Sequence, residues 1–360
     1  MALRRLKARS VNLEEDVKIE LNQDYVVFQG SEHEALAVYL SGHLSFRLRE
    51  AICVKSIRLH LTGVRQASTP IRTTWKKPSS EDEFYRQTWE FHDAYRTTPE
   101  IFPVGDYKYP FNVVIEGSMP ETVEGLKDAS IAYTFTLEIG RKSGKDIRFQ
   151  RPLRIIRMPQ LYTQDVTLDE VWADKIAYRI HVPHRAVAFG TSFDVDYSLT
   201  PVLKDLHIEH VEAQLLEITE FTLNEGDMVD DSHCTTTMLA SDRYIFDDDT
   251  AEYGTGAAEE YDFSRSLRLP RELGHCVQDT DAMGLRVKHK LNIQVRMENP
   301  DGHLSELRLS IPVSIYLSPY HASWEDSFDG EAIPREILNA DEEAPPAYER
   351  HELDAVYNPQ

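Results

Sequence analysis

Pro345-Pro346-Ala347-Tyr348 is the short segment whose residue types and order specify a chemistry most directly. That chemistry is recognition, with no bond made or broken. Adjacent prolines hold φ at about −65° and pre-set a polyproline II helix. Little conformational entropy is then left to lose on docking. Such a helix fits the aromatic-lined groove of a WW domain, with the tyrosine in a second pocket. At ordinary abundances of Pro and Tyr a chain of this length holds on the order of 0.03 such sequences by chance. Pro345, Pro346 and Tyr348 are therefore read as a WW-domain-binding site.

Patterns that would signal catalysis or metal binding were weighed and set aside. His181 and His184 form an HxxH pair, as do His207 and His210. On a strand, residues three apart point to opposite faces and cannot share a metal. Asp247-Asp248-Asp249 lacks the alternating ligands and glycine of a calcium loop. Cys234 beside His233 sits among acids, where repulsion raises a thiol pKa and opposes nucleophilic attack. There is no GxSxG, no phosphate-cradling Gly-rich loop and no HExxH. The tryptophans Trp75, Trp89, Trp172 and Trp324 are assigned to core or loop packing ahead of sugar stacking. Cys53, Cys234 and Cys276 are odd in number and lack CxxC or zinc spacing, which fits reduced thiols in the cytosol. The expectation is a protein that is not an enzyme, with no catalytic residues, no metal ligands and no cofactor.

Charge is concentrated in two places. The formal net charge is −22. Residues 225–262 carry twelve acidic side chains against Arg243 alone, and residues 320–360 carry eleven against Arg335 and Arg350. These segments contribute −11 and −9, which leaves −2 for the rest. Like charge at that density opposes compaction, so both are read as loosely packed, the second as an acidic, largely disordered tail. Nucleic acid is disfavoured as a partner because backbone phosphates demand a basic surface. The sequence does hold one basic stripe, Arg286, Lys288, Lys290 and Arg296, opposite the apolar face of a strand. It could read an acidic cytosolic tail or anionic lipid, or simply balance nearby acids. The acidic segment at 225–262 could equally lie on this stripe and compete with a ligand.

The elements that must carry these groups read as strands. Period-2 alternation runs through Val17, Ile19, Leu21; Ile57, Leu59, Leu61; and Ile131, Tyr133, Phe135, Leu137, Ile139. It returns in Ile176 to Val182, in Phe193 to Leu199, and in Val287, His289, Leu291, Ile293, Val295, Met297. Glycines and Asn299-Pro300-Asp301-Gly302 punctuate the runs, as antiparallel sandwiches require. Helix is scarce; Thr167 with Glu170 three residues on predicts at most one short turn. No stretch approaches the roughly 20 apolar residues of a spanning helix. MALRRLKARSV is followed by VNLEEDVKIEL and not by an apolar run, so no secretory signal is expected. The predicted fold is all-β: one sandwich over 1–158, a second over 159–320 containing the acidic loop 225–262, and a tail over 321–360.

Longer segments carry a resemblance. LSGHLSF (40–46), VKSIRLHLTGV (54–64) and FPVGDYKYPFNVVIEGSMPETVEG (102–125), with Gly105, Tyr109, Pro110, Phe111 and Pro120, resemble the N-domain of the arrestin superfamily, specifically fungal α-arrestins. Glu116-Gly117 departs from the Leu-Pro of many members. KIAYRIHVPHRAVAFGTSFDVDYSLTP (175–201), with Pro183, Gly190 and Pro201, is similar to the C-domain opening, and VKHKLNIQVRMEN and LSIPVSIYL to its closing strands. The likeness spans about residues 10–320. It implies an adaptor whose PPxY recruits a NEDD4-type HECT ubiquitin ligase to plasma-membrane transporters or receptors, promoting their ubiquitylation and endocytosis. It also implies a cytoplasmic protein recruited to plasma membrane or endosomes, with peripheral membrane contact. A signalling scaffold of the kind used in ambient-pH sensing, or a ligand-binding sandwich without a ubiquitin connection, is the alternative.

Overall fold

The computed structural model describes residues 17–68, 79–93, 100–159, 165–223, 231–246 and 260–319. In the first half, β1 (Val17–Leu21), β3 (Val38–Leu48) and β7 (Gly105–Ile115) form a three-stranded sheet in the order β1-β3-β7. It faces a six-stranded sheet of β2 (Tyr25–Gln29), β9 (Ile147–Met158), β8 (Ala129–Arg141), β4 (Ile52–Ser68) and β5 (Ser79–Asp93), with β6 (Glu100–Phe102) paired to β4. The alternation dictates which face is inside. Ile131, Tyr133, Phe135, Leu137 and Ile139 of β8 are all at most 1% exposed. Each such side chain contributes about 1.5–3 kcal/mol on burial. A one-residue slip would turn the whole set outward, so the register is strongly specified.

The second half repeats the plan. β10 (Val166–Trp172), β11 (Ile176–Val182), β13 (Ser192–Pro201) and β16 (Tyr261–Arg268) make a four-stranded sheet. Opposite lie β12 (Ala186–Ala188), β19 (Leu304–Tyr316), β18 (Leu285–Glu298), β14 (His207–Leu223) and β15 (Asp231–Ile245), with β17 (Thr280–Ala282) paired to β18. Two pairings are parallel, β2 with β9 and β12 with β19; the others are antiparallel. Among the described residues there is no helix, and none long and apolar enough to cross a membrane.

Two local expectations need correction. The segment at Thr167 is strand β10: Glu170 lies opposite Tyr178 on β11 and accepts its phenolic hydrogen bond at 3.2 Å instead of capping a helix. Pairing with β11 satisfies the backbone that a helical turn would have satisfied internally. The acidic stretch 225–262 is not a single loop either. Its centre is β15, paired with β14 from Leu223↔Asp231 to His210↔Ile245. Thr235 to Thr237, Tyr244 and Ile245 are strand formers, and ladder formation outweighs the repulsion among acids that are mostly elsewhere in the segment. Residues 224–230 and 247–259, and the tail 320–360, lie outside the described residues.

The two cores are knitted together at their boundary. Along β9, Leu153 and Ile155 point into the first core while Ile156 and Met158 point into the second, with Tyr25 and Val27 of β2 beside them. Reciprocally, Val277, Leu285 and Val287 of the second half pack into the first core. Consecutive residues Leu153 to Ile156 of this run are therefore all buried, because both faces of the strand are covered there.

Candidate functional site

The basic stripe lies on the outer face of β18. Arg286, Lys288 and Arg296 are exposed and Lys290 is half-buried. Arg286 meets Glu220 of β14 at 3.5 Å and Asp281 of β17 at 2.9 Å, while Arg296 meets Glu209 at 2.9 Å. Both arginines are thus committed to neighbouring acids, as the balancing reading of the stripe requires. Such exposed pairs, screened by solvent, contribute little stability. Lys290 borders a shallow depression with Glu212, Gln214 and Arg308. The acidic strand β15 does not lie on the stripe, because β14 stands between it and β18. Asp242 of β15 is held by Arg265 of β16, with Nε–Oδ2 and Nη2–Oδ1 distances of 2.7 and 2.8 Å.

The inner face of the same strand holds a different arrangement. His289 occupies a position in the apolar alternation and its side chain is fully buried. Its Nδ1 is 2.5 Å from Asp279 Oδ1 and its Nε2 is 3.4 Å from Glu217 Oε2. Asp279 Oδ1 also accepts from the Ile315 amide at 2.8 Å, and Oδ2 from the Ser314 hydroxyl at 3.2 Å. Glu217 Oε2 accepts from the Val277 amide at 2.8 Å. Cys276 completes the group: its Sγ and the donor atoms of Glu217 and His289 all lie within 4.8 Å of one another. Burial pushes the Cys276 thiol up. For His289 burial favours the neutral ring, but hydrogen bonds to Asp279, Cys276 and Glu217 outweigh it and push the pKa up to about 11.

This cluster adjoins the contact between the sandwiches. Gln278 Nε2 donates to Thr122 O at 2.7 Å, and the Thr280 hydroxyl donates to Glu121. Glu121 is buried and bridged to Arg157 at 3.0 Å; Arg157 further donates to the carbonyls of Gly117, Met119 and Gly30. One segment, 276–280, thus supplies both the interior cluster and the bonds to the first sandwich. A cleft of about 730 Å³ opens here, lined by Gly125 to Ala129 on one side and by Glu217, Cys276 and Met238 on the other.

Gly117 marks the departure from the Leu-Pro pattern and has a structural cause. A Cβ there would lie 1.9 Å from the carbonyl oxygen of Ala35, so the turn at 31–35 rests directly on its backbone. Trp89 is a packing residue: its ring lies against Phe111 and Phe135 and its Nε1 donates to Asn112 O at 3.1 Å. Neither HxxH pair converges; His181 meets Thr167 and Asp165, and His210 meets Arg243 and Glu209. Cys234 is exposed on β15. Pro345, Pro346 and Tyr348 lie outside the described residues. The Glu217, Cys276, Asp279, His289 group was missed in the sequence because its members come from three separate segments. The one available signal was an imidazole on an otherwise apolar face.

Two tandem sandwiches with interlocked cores and a polar network at the join define the arrestin architecture. Residues 17–162 match the family model of the arrestin (or S-antigen) N-terminal domain, and residues 172–320 that of the C-terminal domain. The chain belongs to the arrestin family, which places it among non-enzymatic proteins. It is 56% identical over its whole length, and the whole of the relative's, to the HECT-type ubiquitin ligase-interacting protein apyA of Emericella nidulans. It is 42% identical, over 94% of its own length, to the HECT-type ubiquitin ligase-interacting protein creD of the same organism and to a probable creD of Aspergillus terreus. The chain covers 60% and 62% of those two relatives.

Proposed function

We propose that this chain is an adaptor that holds a HECT-type ubiquitin ligase close to membrane cargo. The observation that carries this reading is Pro345-Pro346-Ala347-Tyr348, a WW-domain ligand following an arrestin body. The names of the relatives support a ligase as partner. The adaptor makes no bond itself; tethering raises the ligase's effective concentration at the acceptor lysines. No lysine stands between Lys290 and Tyr348, so in this reading a ligase docked at Tyr348 finds acceptors on the cargo or on the folded body. Of the lysines in expected loops or ends, Lys127, Lys142 and Lys145 are exposed between strands, whereas Lys7, Lys76 and Lys77 lie outside the described residues.

The cargo in this reading is the cytosolic region of a plasma-membrane transporter or receptor, and the protein works in the cytoplasm at plasma membrane or endosomes. With Arg286 and Arg296 engaged by acids, Lys288 and Lys290 are the stripe residues left for an acidic cargo tail or anionic lipid. Charge reversal at both that left cargo ubiquitylation unchanged would dismiss that contact. The central test is calorimetric titration of the full chain with a NEDD4-type WW domain beside Tyr348→Ala. Micromolar binding lost in the variant is expected; equal binding, or none in either, would remove the ligase role.

A further inference from the structure

We propose that Cys276, His289 and Glu217 form a zinc-binding site, with Asp279 orienting the imidazole from outside the coordination sphere. The donor set suits zinc, which takes thiolate at about 2.3 Å, imidazole at about 2.0–2.1 Å and carboxylate at about 2.0–2.2 Å. Spacing agrees as well. Two bonds of that N and O length at the tetrahedral angle subtend roughly 3.4 Å, and His289 Nε2 stands 3.4 Å from Glu217 Oε2. The thiol shares that neighbourhood, all three donors lying within 4.8 Å of one another.

The second line of support is the Nδ1 side of His289. Metal-bound histidines characteristically give their other ring N–H to a carboxylate, which sets the tautomer and aims the free nitrogen. Here Asp279 takes that proton at 2.5 Å and is itself fixed by the Ile315 amide and the Ser314 hydroxyl. Without a metal the thiol is only a weak hydrogen-bond partner of His289 and of the Val277 carbonyl, 3.8 Å away, whereas coordination makes it a ligand. Coordination uses all four groups. Glu217 and Cys276 also border the cleft, so water can supply a fourth ligand.

Binding balances simply. Zinc takes the thiolate and the unprotonated Nε2, so the thiol proton, and any proton on that nitrogen, leave to solvent as the ion enters. The ion would fasten the segment 276–280, whose Gln278 and Thr280 reach Thr122 and Glu121 in the other sandwich. Zinc would thereby stiffen the join between the two halves.

Cobalt substitution in the full chain tests this. After chelator treatment the protein is titrated with Co²⁺ and then back-titrated with Zn²⁺, with zinc content measured in the untreated protein by mass spectrometry. One ion per chain is expected, with tetrahedral d–d bands and a sulfur-to-cobalt charge-transfer band. Cys53→Ser/Cys234→Ser leaves Cys276 as the sole thiol and must retain that band, whereas Cys276→Ser must lose it. Asp279→Asn is expected to weaken zinc about 10–100-fold. A folded chain that takes up no cobalt, or a charge-transfer band lost in the Cys53→Ser/Cys234→Ser variant, would overturn the site. The latter arm is decisive even if Cys276→Ser fails to fold.

Discussion

The hydroxyl of Thr280 donates to the carboxylate of Glu121, and the two residues belong to different sandwiches. Both are buried, at 6% and 4% exposure, so neither can exchange its partner for water without the halves moving apart. Thr280→Val keeps the shape and deletes the donor. Leaving a buried carboxylate short of one partner costs about 1–3 kcal/mol. Urea unfolding should show a lower midpoint with the slope retained; an unchanged midpoint would mean that the contact contributes nothing to the join.

Gly125 sits at the same boundary with φ +103°, and a Cβ there would meet the backbone oxygen of Leu273 at 2.0 Å. Gly125→Ala must therefore strain the backbone and push the sandwiches apart. The φ alone costs about 1–3 kcal/mol, and each kcal/mol lowers Tm by about 2–4 °C in a domain of this size. Gly105→Ala is the control, since nothing lies within 4 Å of its Cβ and its φ is ordinary. Equal Tm values for the two variants would contradict the close approach.

The Asp242 to Arg265 pair joins β15 to β16 across the two sheets of the second sandwich. Hydrogen bonding from Arg265 holds the Asp242 carboxyl below its ordinary value. A carboxyl depressed in the folded state stabilises above its unfolded pKa, and that contribution is lost as pH falls through the lower folded value. The Tm difference between wild type and Asp242→Asn should hold steady from pH 7 to about 5 and shrink below about 4. A difference that grew on acidification would show the opposite linkage.

Phosphate on Tyr348 would add about 1.5–2 negative charges to the group that, in the proposed WW-domain contact, enters an aromatic pocket. A peptide spanning 335–360 and phosphorylated there should bind a WW domain far more weakly than the plain peptide. Equal affinities would mean that the tyrosine ring is not what the pocket reads.

Much of this was legible from residue order alone. The alternation at Ile131 to Ile139 and at Val287 to Met297 marks strands and their buried faces, because burial of one face of a pleat is a local, period-2 property. The motif Pro345 to Tyr348 is likewise local, since φ restriction by proline needs no tertiary partner. Strand β15 was obscured because its threonines lie in a segment whose net charge is set by acids outside the strand. Gly117 read as a mere departure from pattern until Ala35 was found against it.

What the sequence by itself determined is therefore the all-β class and the two-sandwich plan, each resting on neighbours a few residues apart. Only the tertiary structure decided that Glu217, 72 residues from His289, shares its Nε2 neighbourhood with Cys276, and that Thr280 closes on Glu121, 159 residues away. Those juxtapositions follow from sheet pairing and from which core each face of β9 and β18 enters. A period-2 pattern states that a face is buried; it does not state what the face meets.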